Sequence, residues 1–158
     1  MAADRRPRPT IVQPGGGTAL DFGASGVASV MLGGEQTGGT LAVIRTPVAP
    51  GPGPAPHVHA LEDELYLVAE GRISYLADGR WTEVGPGGVV YLPRGTPHAY
   101  RNDGAAPALH WLLTTPAGFE RFFARLAAEP VGASGPDPER VVALMRDHGL
   151  TLADAAPG

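Results

Sequence analysis

The sequence predicts an all-β fold of the jelly-roll barrel type, and two observations support this prediction. Glycine (23 residues) and proline (17 residues) make up about a quarter of the 158-residue chain, and they separate short apolar and β-branched runs. Eight such runs follow one another without the strand–helix alternation of parallel α/β folds, a spacing typical of barrels. The runs are Val27–Leu32, Thr40–Val48, Glu64–Ala69, Arg72–Ala77, Arg80–Val84, Val89–Leu92, Thr96–Arg101 and Leu109–Thr114. Asp78-Gly79 has the composition of a two-residue hairpin turn.

After Pro116 the pattern changes to that of two short helices. Residues 118–129 place four apolar side chains on one helical face, which needs a surface to pack against. Residues 138–149 form the second candidate, with Asp137 as N-cap and Gly149 as the stop. We expect a single domain with three parts, a disordered arm (1–10), a barrel (11–115) and a helical extension packed on the barrel (116–158). The apolar face of the first helix, residues 118–129, is formed by Phe119, Phe122, Phe123 and Leu126. These side chains either pack on the barrel or cap its mouth.

Composition excludes several classes of function. The net charge of -4 argues against nucleic acid or an anionic membrane as the main partner. Without cysteine there is no zinc-thiolate site and no thiol nucleophile, so any metal site must use His, Asp and Glu. No apolar run is long enough to span a bilayer and no signal peptide is visible, so we expect a cytoplasmic protein.

Two of the five histidines, His57 and His59, are separated by one residue in the segment PHVHALEDE. Alternate side chains of an extended strand share a face, so both imidazoles should point the same way. Glu64 follows five residues after His59, far enough for a tight turn to return its carboxylate alongside. Imidazole and carboxylate together suit divalent first-row metals. The segment therefore predicts part of a metal site.

A second segment, GGVVYLPRGTPHAYRN, supplies another imidazole. Residues 93–97 are a turn, and His98 begins the next strand, with Tyr100 expected on the same face. A third imidazole from a separate strand would complete a site of three histidines and one carboxylate.

The two segments resemble the two signature motifs of the cupin superfamily, G-x5-H-x-H-x4-E-x6-G and G-x5-P-x-G-x2-H-x3-N. Gly88 departs from a frequent Asp at a turn position, which does not affect the site. The chain resembles small single-domain bacterial cupins that are often labelled quercetin-dioxygenase-like. This resemblance implies a double-stranded β-helix and a homodimer. The matching residues are Gly51, His57, His59, Glu64 and Gly71, then Gly87, Pro93, Gly95, His98 and Asn102.

In that family the residues matching His57, His59, Glu64 and His98 ligate one divalent transition metal inside the barrel, and all four are retained. The ligand set does not distinguish Fe, Ni, Co, Mn, Cu or Zn. Such a centre carries a net charge of about +1, which favours an anionic or enolisable small-molecule substrate. In some family members the residue matching Glu64 also accepts a proton, so it is a candidate catalytic residue.

Four further residues are candidates for substrate binding. Tyr66 and Tyr100 either line the pocket or belong to an ordinary core. His110 is a proton relay or a structural histidine, and Arg45 pairs with an anionic substrate or lies at a subunit interface. Glu62 and Asp63 are expected to be solvated turn residues, with Glu62 as an alternative carboxylate.

The function then divides three ways. The favoured interpretation is a metal-dependent dioxygenase that acts on a small enolisable or phenolic substrate and uses O2. The second is a redox-neutral metalloenzyme such as a polyketide cyclase or an isomerase. The third is a non-catalytic cupin that binds a small ligand.

Overall fold

The structure is a computed structural model that describes residues 7–23, 26–132 and 135–154. Its strands are β1 (Thr18–Asp21), β2 (Val27–Leu32), β3 (Ala42–Val48), β4 (His57–His59), β5 (Asp63–Glu70), β6 (Ile73–Ala77), β7 (Arg80–Val84), β8 (Val89–Leu92), β9 (Ala99–Arg101), β10 (Ala108–Thr115), β11 (Val131–Gly132), β12 (Gly135–Pro136) and β13 (Leu150–Leu152). Its helices are α1 (Gly34–Thr37), α2 (Phe119–Ala127) and α3 (Pro138–Asp147).

The strands form two facing sheets, which confirms the predicted double-stranded β-helix. The larger sheet has the order β1-β2-β3-β10-β5-β8 and is antiparallel throughout. The other face consists of the sheet β7-β6-β9 and the pair β4-β13. Isolated bridges join His57 to His98 and Gly51 to Asn102. The barrel is therefore closed around the segment that carries the paired histidines.

The core lies between the sheets. Ile44, Val68 and Leu112 come from the larger sheet, and Ile73 and Tyr75 come from β6; none is more than 2% exposed. Burial in β3 alternates residue by residue, as expected for a strand with one face on the core. The inner face of β3 therefore looks towards the same space as β5, β6 and β10.

The predicted turns and helices are found. Asp78 and Gly79 both have positive φ (49° and 70°), the geometry of a two-residue turn that matches strand twist. In α3 the Asp137 carboxylate accepts a hydrogen bond from the backbone N–H of Glu139 at 2.9 Å, so Asp137 is the N-cap. Gly149 follows α3 with a φ of 74°.

The C-terminal part differs from the expectation of helices alone. It also forms the hairpin β11-β12 and the strand β13, which pairs with β4. The Thr96–Arg101 run shortens to β9 because Pro97 has no N–H to donate. The expected disordered arm falls largely on residues 1–6, which lie outside the described residues, and residues 7–10 form no helix or strand. Within the described part of the chain, no helix is long and apolar enough to cross a membrane.

Candidate metal centre

His57 and His59 lie on β4, and both side chains are buried while Val58 between them is half-buried. This alternation is the one that the spacing predicted. The strand is held on both sides. His57 exchanges two backbone hydrogen bonds with His98 (2.9 and 3.0 Å), and β13 pairs with the other edge in the register His59 to Leu150.

Glu64 and His98 complete the group. Glu64 is 1% exposed on β5, and His98 is 2% exposed just before β9. Glu64 Oε2 lies 2.7 Å from His98 Nε2, and Glu64 Oε1 lies 3.6 Å from His59 Nε2. One ligand nitrogen from each of the three histidines lies within 4.8 Å of the others. We call these four residues, His57, His59, Glu64 and His98, the histidine end of the interior.

The outward nitrogens of two histidines are fixed by the backbone. His57 Nδ1 donates to the carbonyl of Ala55 and His98 Nδ1 donates to that of Thr96, each at 2.8 Å. Because a carbonyl only accepts, Nδ1 carries a proton, and in the neutral ring Nε2 then holds the lone pair. This orientation is the one that a metal-ligating histidine requires.

The third histidine faces a carboxylate. His59 Nδ1 lies 3.5 Å from Glu62 Oε2, beyond good hydrogen-bond geometry, and Glu62 is only 4% exposed. The expectation that Glu62 is a solvated turn residue is therefore wrong, because the turn after β4 folds it inward, where Gly118 approaches it. Asp63, in contrast, reaches the surface and pairs with Arg94 at 2.9 Å, which lowers the pKa of Asp63 to about 2. The spacing of three residues from His59 was the only sequence signal for Glu62.

The residues present fit a cation. His59 Nε2, His98 Nε2 and Glu64 Oε2 are buried without a hydrogen-bond partner among the described residues. The short contact between His98 and Glu64 does not have hydrogen-bond geometry, so both atoms remain unsatisfied. Unsatisfied buried polar atoms are rare in folded proteins, and a shared ion would satisfy these three together.

The charge states suit such an ion. Burial lowers the pKa of His57 to about 4, and the neighbouring His98 and His59 act in the same direction. Burial works to raise the pKa of Glu64, but the contacts with His98, His59 and His57 outweigh it and lower that pKa overall. Glu64 and His98 favour opposite charges, because the Glu64 carboxylate raises the pKa of His98 in spite of burial. A neutral His57 and an ionised Glu64 are the forms that bind a divalent metal.

The remaining candidates fall into two groups. Tyr66, Tyr100 and His110 line an interior cavity, and the Tyr66 hydroxyl donates to Glu64 Oε1 at 3.2 Å. Arg45 lies on the outer face of β3, opposite the buried Ile44 and Thr46, and is not a lining residue. The structure thus brings three of the four together with the histidine end and places Arg45 elsewhere.

His110 makes one contact that the sequence did not indicate. It is 1% exposed, and its Nδ1 lies 2.8 Å from the Tyr75 hydroxyl. Burial lowers the pKa of His110 to about 3, so the ring is neutral. Burial also raises the pKa values of Tyr66, Tyr75 and Tyr100, that of Tyr100 to about 12, so all three phenols keep their protons.

Thr46 is a second residue that the sequence did not indicate. It lies directly opposite His110 in the β3–β10 register, lines the same cavity, and its buried hydroxyl has no partner among the described residues. The alternation of buried residues in β3 was the only sequence signal for its inward position.

The cavity measures about 530 Å³ and reaches from Glu64 and His57 to the C-terminal helices. Its far side is apolar, and we call this side the helical wall. Phe119 joins the two regions, because its ring packs edge-on against His59 with centroids 4.5 Å apart. The helical wall consists of Phe119, Phe122, Phe123, Leu126, Val142 and Met145.

Comparison with known proteins agrees with this architecture. Residues 45–115 match the family described as "Cupin domain". The quercetin 2,3-dioxygenase of Bacillus subtilis is 32% identical over 93 residues, which cover 59% of this chain and 27% of that protein. The matches span between about a fifth and two fifths of the length of the curated relatives.

Two solved structures show the same fold. One is a predicted oxalate decarboxylase from Thermotoga maritima, with a TM-score of 0.61, 18% identity, and coverage of 68% of this chain and 99% of that chain. The other is the polyketide cyclase RemF from Streptomyces resistomycificus, with a TM-score of 0.57, 21% identity, and coverage of 68% and 80%. At these identities the likeness concerns the fold alone. Both reach beyond residues 45–115, so the fold extends past the matched domain.

Proposed function

We propose, on the basis of the match of residues 45–115 to the cupin domain family, that this chain is a metal-dependent dioxygenase acting on a small enolisable or phenolic substrate. The metal would be held by His57, His59, Glu64 and His98. Both atoms of O2 would enter the product, so the reaction would consume no further reductant.

One observation supports the proposal most strongly. The unsatisfied atoms His59 Nε2, His98 Nε2 and Glu64 Oε2 converge beside a cavity that Glu64 and His57 also line. A divalent ion in this place would supply a positive charge that stabilises an enolate or phenolate and, if redox-active, the capacity to react with O2. The similarity to a quercetin 2,3-dioxygenase over 59% of the chain favours the reaction with O2.

Glu64 has the position for a second role. Its Oε1 accepts the Tyr66 O–H, so Oε2 is the atom left for the metal or for a substrate proton. A positioned general base contributes about 10²–10⁴-fold in rate. We therefore expect Glu64→Gln to reduce turnover by that factor in protein that still holds metal. Glu70→Gln, at the exposed end of the same strand, is the matched control. Unchanged turnover in metal-loaded Glu64→Gln would remove the role of base.

His110 has the position for orienting the substrate. We infer that the Tyr75 hydroxyl donates to His110 Nδ1, because in the reverse arrangement its own proton would have no acceptor among the described residues. His110 then carries its own proton on Nε2 and can donate it to an oxygen of a ligand in the cavity. Tyr66 and Tyr100 would pack against the rings of the same ligand.

The test is elemental analysis of anaerobically purified protein, followed by oxygen uptake with a panel of phenols, flavonols and 1,3-diketones. We expect about one redox-active divalent metal per chain and uptake of one O2 per product. Zinc, with turnover but no oxygen uptake, would instead support the redox-neutral cyclase or isomerase. Tight binding of one panel member with no turnover would support a non-catalytic cupin.

Two further features stay proposals that the same purified protein can test. The homodimer expected from the cupin resemblance is checked by light scattering. The cytoplasmic location is checked by fractionation of cells that express the tagged chain.

A further inference from the structure

The residues that line the cavity restrict the charge and polarity of a ligand more narrowly than the metal-binding residues do. Among the described residues that line it, Glu64 is the one charged side chain, and there is no Lys or Arg. A substrate with a phosphate or a carboxylate far from the metal would bury that charge without a counter-ion, which is strongly unfavourable. Sugar hydroxyls would likewise lose water without gaining partners along the helical wall. The lining therefore favours a ligand whose body is uncharged and apolar.

The aromatic side chains favour a flat ligand. Phe119 and Phe122 are stacked with centroids 5.4 Å apart and an interplanar angle of 14°, and Phe123 meets both rings edge-on. The same cavity is also lined by Tyr66 and Tyr100, whose ring centroids lie 5.9 Å apart. A ring system between these two groups can make the offset-stacked and edge-to-face contacts that aromatic groups prefer.

A polar pair lies away from the histidine end. Thr46 and His110 face each other across β3 and β10, whereas Glu64 pairs with Thr114, four residues further along β10. Four residues of strand correspond to roughly 13 Å between Cα positions. With the Tyr75 hydroxyl as the donor to Nδ1, His110 carries its proton on Nε2. The Thr46 hydroxyl is buried and has no partner among the described residues. These two groups can bind a neutral oxygen at a position separate from the histidine end, further along the cavity.

We propose that the substrate is a flat aromatic compound with two separated oxygen functions, one at the histidine end and one bound by Thr46 and His110. This rests on the proposed function, because it takes the histidine end to bind the reacting oxygen. The second oxygen belongs to a hydroxyl or a carbonyl, since no cationic side chain lines the cavity to neutralise an anion.

The experiment compares two probes that differ by one hydroxyl, 2-naphthol and 2,6-dihydroxynaphthalene. Affinities are measured by calorimetry under argon, so binding is separated from turnover. We expect the diol to bind the protein about tenfold more tightly than 2-naphthol, since a net hydrogen bond contributes about 1–1.5 kcal/mol. Glucose 6-phosphate should not bind at the same concentrations.

The variants test whether the preference arises at the proposed pair. Thr46→Val keeps the shape and removes the hydroxyl, and His110→Phe keeps a ring without the N–H. Each should reduce the preference for the diol to about threefold or less. Thr114→Val is the matched control, because Thr114 is also buried with an unpartnered hydroxyl but does not line the cavity.

The helical wall is tested in the same assay. Met145→Gln places an amide in the wall at nearly constant length and should weaken both probes about tenfold. Met31→Gln is the control, because Met31 is equally buried (9% exposed) and lies outside the cavity.

Three results would overturn the inference. They are equal affinity of the two probes for the unmodified protein, a preference unchanged in both Thr46→Val and His110→Phe, and equal weakening by Met145→Gln and Met31→Gln. If the preference behaves as expected but no oxygen uptake occurs with any substrate, the ligand class stands and the dioxygenase activity fails. The two proposals therefore fail separately.

Discussion

The histidine end and the helical wall face the same cavity, but they are built in different ways. The histidine end comes from two short segments, residues 57–64 and His98, whose backbones are bridged directly. The helical wall comes from α2 and α3, which lie outside the matched cupin domain of residues 45–115. One region is thus set by local spacing within the domain, and the other by where two amphipathic helices dock. Metal chemistry and ligand selection are therefore separable by mutation.

The largest expected effect is at the histidine end. His98→Ala removes one imidazole of the three-histidine cluster, so we expect the metal content to fall from about one ion per chain to nearly zero by elemental analysis. Binding of 2-naphthol should weaken but remain measurable, because the helical wall is unchanged. His148→Ala, at the end of α3, serves as the control. One metal ion per chain in His98→Ala would contradict the assignment of metal binding to the histidine end.

Glu62→Gln tests the contact behind His59. The Glu62 carboxylate lies 3.5 Å from His59 Nδ1, and carboxylates behind ligating histidines typically contribute 10- to 100-fold in metal affinity. We expect a loss in that range in competition titrations with a chelator. Asp63→Asn, its neighbour in sequence, should leave metal affinity unchanged because Asp63 pairs with Arg94 instead. Equal effects of the two changes would count against a specific role of Glu62.

Thr151→Pro tests whether the histidine end depends on the C-terminal part of the chain, which carries β13. The bonds from Ala60 N to Gly149 O and from Ala153 N to Pro56 O make Thr151 and Val58 a hydrogen-bonded pair of β13 and β4. Proline removes the backbone N–H of residue 151 and with it one of the two bonds of the Thr151–Val58 pair, so we expect a loss of about 1–3 kcal/mol in the free energy of unfolding and weaker metal binding.

Thr151→Val keeps the backbone N–H at the same exposed position and is the control. If Thr151→Pro unfolds at lower urea concentration but binds metal normally, then β13 stabilises the fold without supporting the site.

The smallest effect concerns pH. The pKa of His110 is about 3 in the folded protein and about 6.5 when unfolded, so the unfolded chain binds more protons between these values. Stability from this residue is therefore complete only well above pH 6.5 and is lost as the pH falls through that value towards 3. Between pH 7 and pH 6 it amounts to roughly 0.7 kcal/mol. His110→Gln should flatten the pH dependence of the free energy of unfolding, measured in urea between pH 7 and pH 6, by that amount.

The sequence indicated where the four residues of the histidine end would lie, because the information that places them is local. A spacing of two residues in a strand fixes the common face of His57 and His59, and the turn before His98 fixes where the third imidazole arrives. Gly53 shows how tightly this region is constrained, because a Cβ there would lie 1.9 Å from the backbone oxygen of Tyr100. Local spacing is therefore a good guide wherever the backbone itself delivers the side chain.

The other features of the site and the fold depended on tertiary contacts that the sequence pattern does not show. Glu62 was expected at the surface, and its burial follows from how the turn after β4 and the start of α2 meet. The hydroxyl of Tyr75 and the side chain of Thr46 were not recognised because only the folded structure places them beside His110. The strand β13 has only three residues, too few for an alternating pattern to be recognised.

The pairing of β4 with β13 has a consequence for synthesis of the chain. His59 and its partner Leu150 are 91 positions apart, so at 5–20 residues per second the ribosome needs about 5–18 seconds to make the second after the first. During that interval one edge of the histidine-bearing strand has no partner and is open to pairing with another nascent chain. Slow translation or crowded polysomes should therefore increase aggregation, and chaperones that shield strand edges should improve the yield of folded protein.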